Sequence, residues 1–143
     1  MSAQTELRAW MIAQIKADAA CQATALGATP RVFNRVPNEG AASSPAFPFL
    51  IVEHTNTRPF ETADSFGEEH EVTVFVEGEY FGDLEGEAIF KSTRRLFRDA
   101  GPVVLSTNRL VNLEWVNEDV AGAESGKRYY GLQRWRAVTE ETS

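Results

Sequence analysis

Apolar and polar positions along the chain follow two different periods, and the switches between them outline a fold. From Thr5 to Ala25, Leu7, Trp10, Met11 and Ile15 recur at helical spacing, with Glu6, Arg8, Gln14 and Lys16 around the rest. That pattern predicts an amphipathic helix. Thr5 offers an N-cap hydroxyl, and Gly27 with Pro30 ends the segment. A short strand is expected over Arg31 to Val36. Pro37 to Pro48 holds three prolines among Asn38, Gly40, Ser43 and Ser44, so it cannot supply regular ladder donors and reads as a surface loop.

Phe49-Leu50-Ile51-Val52 is too short for a helix and branched enough for a buried strand, which continues in polar form through Glu53, His54 and Thr55. Between Glu69 and Glu79 the alternation is clearest. Val72, Val74 and Val76 lie on one face and Glu71, Thr73 and Glu77 on the other, interrupted by Phe75. The intervening Asn56 to Glu68 shows no period and reads as a long working loop carrying Arg58, Pro59, Phe60 and Phe66.

A second helix is expected from an Asp83 N-cap, with Glu85 and Glu87 at its positive end. Ile89, Leu96, Phe97 and Ala100 form its apolar stripe, and Gly101-Pro102 stops it. Arg109 to Val116 and Lys127 to Thr139 read as strands of an antiparallel hairpin, joined by a long polar connector from Asn117 to Gly126. Met1 to Gln4 and Glu140 to Ser143 are expected to be loose. Without alternating βαβ units, the order implies an α+β fold: a mainly antiparallel sheet of about five strands with two helices packed on one face.

Length and charge narrow the function. The 143 residues suit a single domain, 1–143, that buries roughly two thirds of its unfolded surface. Fourteen Lys and Arg against 21 Asp and Glu give a net charge of −7, which disfavours a nonspecific grip on nucleic acid or anionic membranes. The lone Cys21 excludes an internal disulfide and the multi-cysteine metal patterns. No apolar run approaches a bilayer span and the start lacks a signal-peptide pattern, so a soluble protein without membrane association is expected.

Catalytic and metal patterns are incomplete. His54 and His70 are the only histidines, and neither belongs to a metal-binding spacing or a serine-hydrolase elbow. They could face each other across a hairpin. Asn117, Asp119 and Gly122 match part of a calcium loop, but Ala121 takes a ligand position and Arg128 stands where the bidentate glutamate is required. Glu61, Asp64, Glu68, Glu69 and Glu71 read as a solvated acidic surface or as a partner for a basic one. The glycines at 78, 82 and 86 form no phosphate loop. No catalytic residue, metal or cofactor is assigned.

One charge pattern stands apart. Lys91, Arg94, Arg95 and Arg98 fall at i, i+3, i+4 and i+7 of the second helix. They form either a solvated face or a stripe that meets an acidic surface such as Glu61 to Glu71 of an identical subunit.

Together these elements resemble the phage tail completion family, the tail terminators of long-tailed phages and gene transfer agents. The resemblance rests on the N-terminal helix with Leu7 and Ile15, Arg31-Val32-Phe33-Asn34-Arg35-Val36-Pro37, Phe47-Pro48-Phe49-Leu50-Ile51-Val52 and Glu69-His70-Glu71-Val72-Thr73-Val74-Phe75-Val76. It continues through the helix from Glu87 to Asp99. Its most specific part is the closing Gly131-Leu132-Gln133-Arg134-Trp135-Arg136-Ala137-Val138-Thr139-Glu140.

The resemblance implies a structural virion protein rather than an enzyme, assembled in the bacterial cytoplasm. It implies a ring, commonly a homo-hexamer, that caps the head-proximal end of the tail tube and joins it to the head connector, with DNA passing through the lumen without specific binding. Arg58, Phe60 and Phe66 of the long loop, together with Lys91, Arg94, Arg95 and Arg98, are the candidate contacts to a neighbouring subunit or the tube. A head-tail adaptor or other minor tail protein remains an alternative. So does, from another class, a small α+β ligand-binding domain or enzyme.

Overall fold

The computed structural model describes residues 2–35, 46–62, 65–79, 84–98, 100–122 and 128–142. The chain begins with two helices, α1 (Ala3–Ala17) and α2 (Ala19–Gln22), where the pattern predicts one from Thr5 to Ala25. Ser2, rather than Thr5, is the N-cap, and its hydroxyl accepts the Thr5 N–H at 3.3 Å. Asp18 makes the break. Its backbone is extended, and its carboxylate accepts the Cys21 N–H at 2.9 Å to start α2, the competition with helix that short acidic side chains offer. Ala3 is buried, so the N-terminal end is anchored from that residue.

The remaining elements are β1 (Val32–Phe33), β2 (Phe49–Thr62), β3 (Ser65–Glu79), α3 (Leu84–Arg98), β4 (Val103–Val104), β5 (Asn108–Gly122) and β6 (Arg128–Glu141). They form one six-stranded sheet in the order β1-β2-β3-β6-β5-β4. β1 pairs parallel with β2 and the other neighbours are antiparallel. The architecture is α+β, but the sheet is mixed and six-stranded, with three helices instead of two. The additions are β4, of two residues, and α2, of four, pieces shorter than any period can mark.

The larger correction concerns the predicted loops. Asn56 to Thr62 and Ser65 to Glu68 are strand: beyond a bulge at Thr55, β2 and β3 stay paired from Asn56↔Glu71 to Thr62↔Ser65. The Thr55 hydroxyl bridges the bulge by donating to the Glu71 carbonyl at 3.0 Å. Likewise the predicted connector from Asn117 is strand through Gly122, which pairs with Tyr129. β6 runs to Glu141, and the Thr142 N–H reaches the Thr107 carbonyl at 3.1 Å, so the C-terminal end is held as well. The Asp83 cap lies outside the described residues, as do the end of the predicted Arg31 to Val36 strand and most of the loop that follows it.

Alternation decides what each sheet face does. Val72, Val74 and Val76 pair with Trp135, Gln133 and Gly131 on β6 and with His54, Val52 and Leu50 on β2, so these side chains share a face. α1 buries Leu7, Met11 and Ile15 against it, and α3 buries Ile89, Phe90 and Phe97. Phe97 sits between Trp10 and Trp135, each 5.7 Å away between ring centres. Strands of about fifteen residues span roughly 50 Å, whereas a helix of that length spans roughly 22 Å. The sheet therefore overruns its helical cover.

Arg31 holds β1 to the start of β2. Its guanidinium donates to the carbonyls of Ala25 and Pro48 at 2.9 Å and of Phe47 at 3.1 Å, beside a cis Phe47–Pro48 peptide.

Candidate functional site

The predicted interface residues fall in two places. Arg58, Phe60 and Phe66 lie on the far end of the β2–β3 hairpin, on rigid paired strand instead of a loop. Phe66 is 76% exposed and Phe60 44%, an uncommon position for large apolar side chains. Arg58 is exposed and meets Glu69 at 3.4 Å across the ladder.

Lys91, Arg94, Arg95 and Arg98 lie on α3, but they do not form one free stripe. Arg94 meets Glu118 of β5 at 2.8 Å and sits over the Trp115 ring, 5.4 Å from its centre. Arg95 meets Asp18 at 2.8 Å. Lys91 and Arg98 are exposed and make no ion pair among the described residues. The structure does not bring α3 near the Phe60 and Phe66 hairpin end within one chain, since α3 packs on α1, α2, β3, β5 and β6.

The sheet face away from the helices is lined by cross-strand ion pairs. Arg136 meets Glu114 at 2.6 Å, Arg109 meets Glu140 at 2.7 Å and Arg128 meets Glu77 at 3.2 Å. Being exposed, each adds little to stability. At one end of this face Phe49, Ile51, Phe75 and Tyr130 line an open cleft of about 250 Å³ between Glu53 and Glu77.

A second cleft, not singled out by the sequence pattern, runs along the outer side of α1. Ala9, Ile12 and Ala13 form its floor and Arg8, Lys16 and Asn34 its sides, enclosing about 350 Å³. The Arg8 Nε is buried and has no hydrogen-bond partner among the described residues. The available signal was the exposed Ala9 and Ala13 at helical spacing away from Leu7, Met11 and Ile15, beside Ile12, which packs partly against the core.

The two histidines do meet across the hairpin, 5.7 Å apart between ring centres. The Thr57 hydroxyl bridges His54 and His70 Nδ1, the latter at 3.0 Å, and His70 Nε2 bonds Thr139 Oγ1 at 2.9 Å. Burial, reinforced by the neighbouring His54, pushes the His70 pKa down to about 4. Burial first and the Arg8 charge second lower that of His54. Both rings are thus neutral near pH 7, and His70 spends both nitrogens and His54 its Nε2 on threonines, which makes this chain of groups a strand-to-strand tie. Burial, with Asp18 beside it, pushes the Cys21 thiol up to about 12, so it is a core side chain and not a nucleophile. Among the described residues no group of three or more His, Cys, Asp or Glu side chains is placed to hold a metal, and no helix is long and apolar enough to cross a membrane.

The molecule's conspicuous surfaces are therefore an aromatic hairpin end, an apolar cleft on each side of the sheet and a partly engaged basic helix. These are features of assembly. A solved chain described as "Virion of native gene transfer agent (GTA) particle" shares the fold with a TM-score of 0.75 at 22% identity, covering 97% of this chain and 98% of that one. None of the curated proteins matches the chain. The model of the family described as tail completion protein gp17 matches residues 9–140. With that match running from α1 to the penultimate residue of β6, the chain belongs to the tail completion protein gp17 family.

Proposed function

We propose that the protein is a tail terminator subunit: a structural component of a phage-like virion that forms a ring, of six copies in the expected case, on the head-proximal end of the tail tube and joins it to the head connector. The observation that carries this reading is the family match over residues 9–140. The fold shared with a chain of a gene transfer agent virion supports the same setting.

The surfaces suit the role. Subunits in a ring make heterologous contacts, in which one patch meets a different patch on the next copy. This chain offers unlike patches at separate places: Phe60 and Phe66 with Arg58 on the hairpin, and Lys91 and Arg98 on α3, beside Arg94 and Arg95 that already serve Glu118 and Asp18. These residues are the proposed contacts to a neighbouring subunit or the tube. The net charge of −7 suits a channel through which DNA passes without adhering. No chemistry or cofactor is required of the chain in this role.

Tail tubes assembled with and without the protein test the reading. In its absence tubes should overgrow and fail to join heads, and adding it back should place one ring on one tube end in electron micrographs. Tubes of normal length that join heads without the protein would overturn the proposal.

A further inference from the structure

The cleft along α1 and the end of the β2–β3 hairpin complement each other, and within one chain Phe66 lines a different pocket from the cleft. The cleft has an apolar floor of Ala9, Ile12 and Ala13, flanked by the cations Arg8 and Lys16, in a protein with an excess of seven negative charges. The Arg8 Nε is withdrawn from water and without an acceptor among the described residues.

The hairpin has the opposite character. Residues 57–69 contain four acids against the single Arg58. Among the described residues Phe66 is the most exposed of the large apolar side chains, and Glu68, two positions on, lies on the same face of β3. Within its own chain Phe66 is fixed in the ladder opposite Glu61 and lies beside Asn108, Thr139 and Glu141, not in the α1 cleft. The alternative receptor, α3, is the poorer one, because Arg94 and Arg95 are already occupied by Glu118 and Asp18.

We propose that the hairpin of one copy seats Phe66 in the α1 cleft of the next copy, with Glu68 facing Arg8 and Lys16. The occupant is thus a second copy of this chain. The two patches differ, so the contact is heterologous, and repeated around an axis it closes a ring. The inference rests on the ring reading above and names the contact that would build it.

The test is a double variant, Ala13→Cys with Phe66→Cys, oxidised after the full-length protein has been assembled on tail tubes. Cys21 is buried and stays out of the exchange. The expected result is a ladder of disulfide-linked multimers ending at ring size, absent from either single variant. A ring present on the tubes without that ladder overturns the contact and leaves the ring reading standing; wild-type protein that forms no ring on tubes overturns both.

Charge reversal gives an independent measurement. Reversing the exposed Lys16 with Lys16→Glu should weaken ring assembly severalfold with the unfolding midpoint of the free chain unchanged, and Glu68→Lys in that background should recover part of the loss. A changed unfolding midpoint with assembly intact would mean that Lys16 serves its own chain, and would overturn the proposal.

Discussion

The Glu6 carboxylate, in the first turn of α1, accepts the backbone N–H of Thr107 at 2.6 Å and the Thr107 hydroxyl at 2.8 Å, across 101 residues of chain. Asn108 Nδ2 supplies a third donor. The carboxylate is almost completely buried and fastens the N-terminal helix to the turn before β5. Burial alone would raise its pKa, but the hydrogen bonds from Thr107 and Asn108 outweigh it and hold it below the ordinary carboxylate value.

A carboxyl with a depressed folded-state pKa stabilises the fold above its unfolded-state pKa, near 4.3, and that stability drains away as pH falls through the lower folded value. Glu6→Gln presents an N–H₂ where acceptors are needed and should cost about 2 kcal/mol at pH 7. The difference between wild type and variant in urea unfolding should shrink below about pH 4. An equal gap at pH 7 and pH 3 would show that the charge is not what matters.

His70 sets a second window. Its pKa of about 4 lies well below the ordinary histidine value of about 6.5, so the unfolded chain binds the proton more readily between those values. Stability from the neutral ring is complete above about pH 6.5 and falls as the solution is acidified towards 4. His70→Gln should flatten the slope of the unfolding midpoint between pH 6.5 and 5, above the range where Glu6 titrates. An unchanged slope would count against the buried Thr57–His70–Thr139 tie.

Gly78 leaves room for a ring. A Cβ there would lie 2.2 Å from Tyr129 Cζ, and Tyr129 is fully buried with its hydroxyl donated to Glu85 of α3. Gly78→Ala should displace the ring and destabilise by about 3 kcal/mol, whereas Tyr129→Phe, which loses only the hydroxyl's bond, should cost about 1 kcal/mol. Chemical denaturation of both variants checks the order; a milder loss for Gly78→Ala would mean that the ring can move aside freely.

Gln133 supports the core from inside. Its carboxamide oxygen accepts Thr93 Oγ1 at 2.7 Å and Trp135 Nε1 at 3.0 Å, while its nitrogen donates to the Phe90 carbonyl at 3.0 Å and to Glu118 at 2.9 Å. Gln133→Leu strands several buried groups at once and should cost about 3 kcal/mol, and Thr93→Val about 1 kcal/mol. Equal losses in equilibrium unfolding would contradict a shared network.

The strands legible in sequence were those whose two faces meet different surroundings. Val72, Val74 and Val76 face helices while Glu71 and Glu77 face outward, and that contrast is the alternation itself. Asn56 to Thr62 and Ser65 to Glu68 form just as regular a ladder, yet the side chains of 56–60 and 66–68 are largely exposed on both faces, so no apolar period marks them. Backbone pairing with the adjacent strand is a contact between distant residues, invisible to a local pattern. The spacing of Lys91, Arg94, Arg95 and Arg98 was equally plain. Which of them remain unengaged depends on Asp18, 77 residues before Arg95, and on Glu118 of β5.

The amino-acid pattern alone determined the α+β class, the amphipathic faces of α1 and α3 and the buried face of β3, because each is written in neighbouring side chains and their period; the family came from the resemblance of particular segments, the closing strand above all. Tertiary structure decided the rest. It turned two presumed loops into paired strand, made the histidines a neutral tie, consumed two of the four α3 cations and left an apolar cleft with cationic sides along α1. Each of those outcomes turns on groups far apart in the chain competing for the same hydrogen bond, charge or volume, and only the folded arrangement settles that competition.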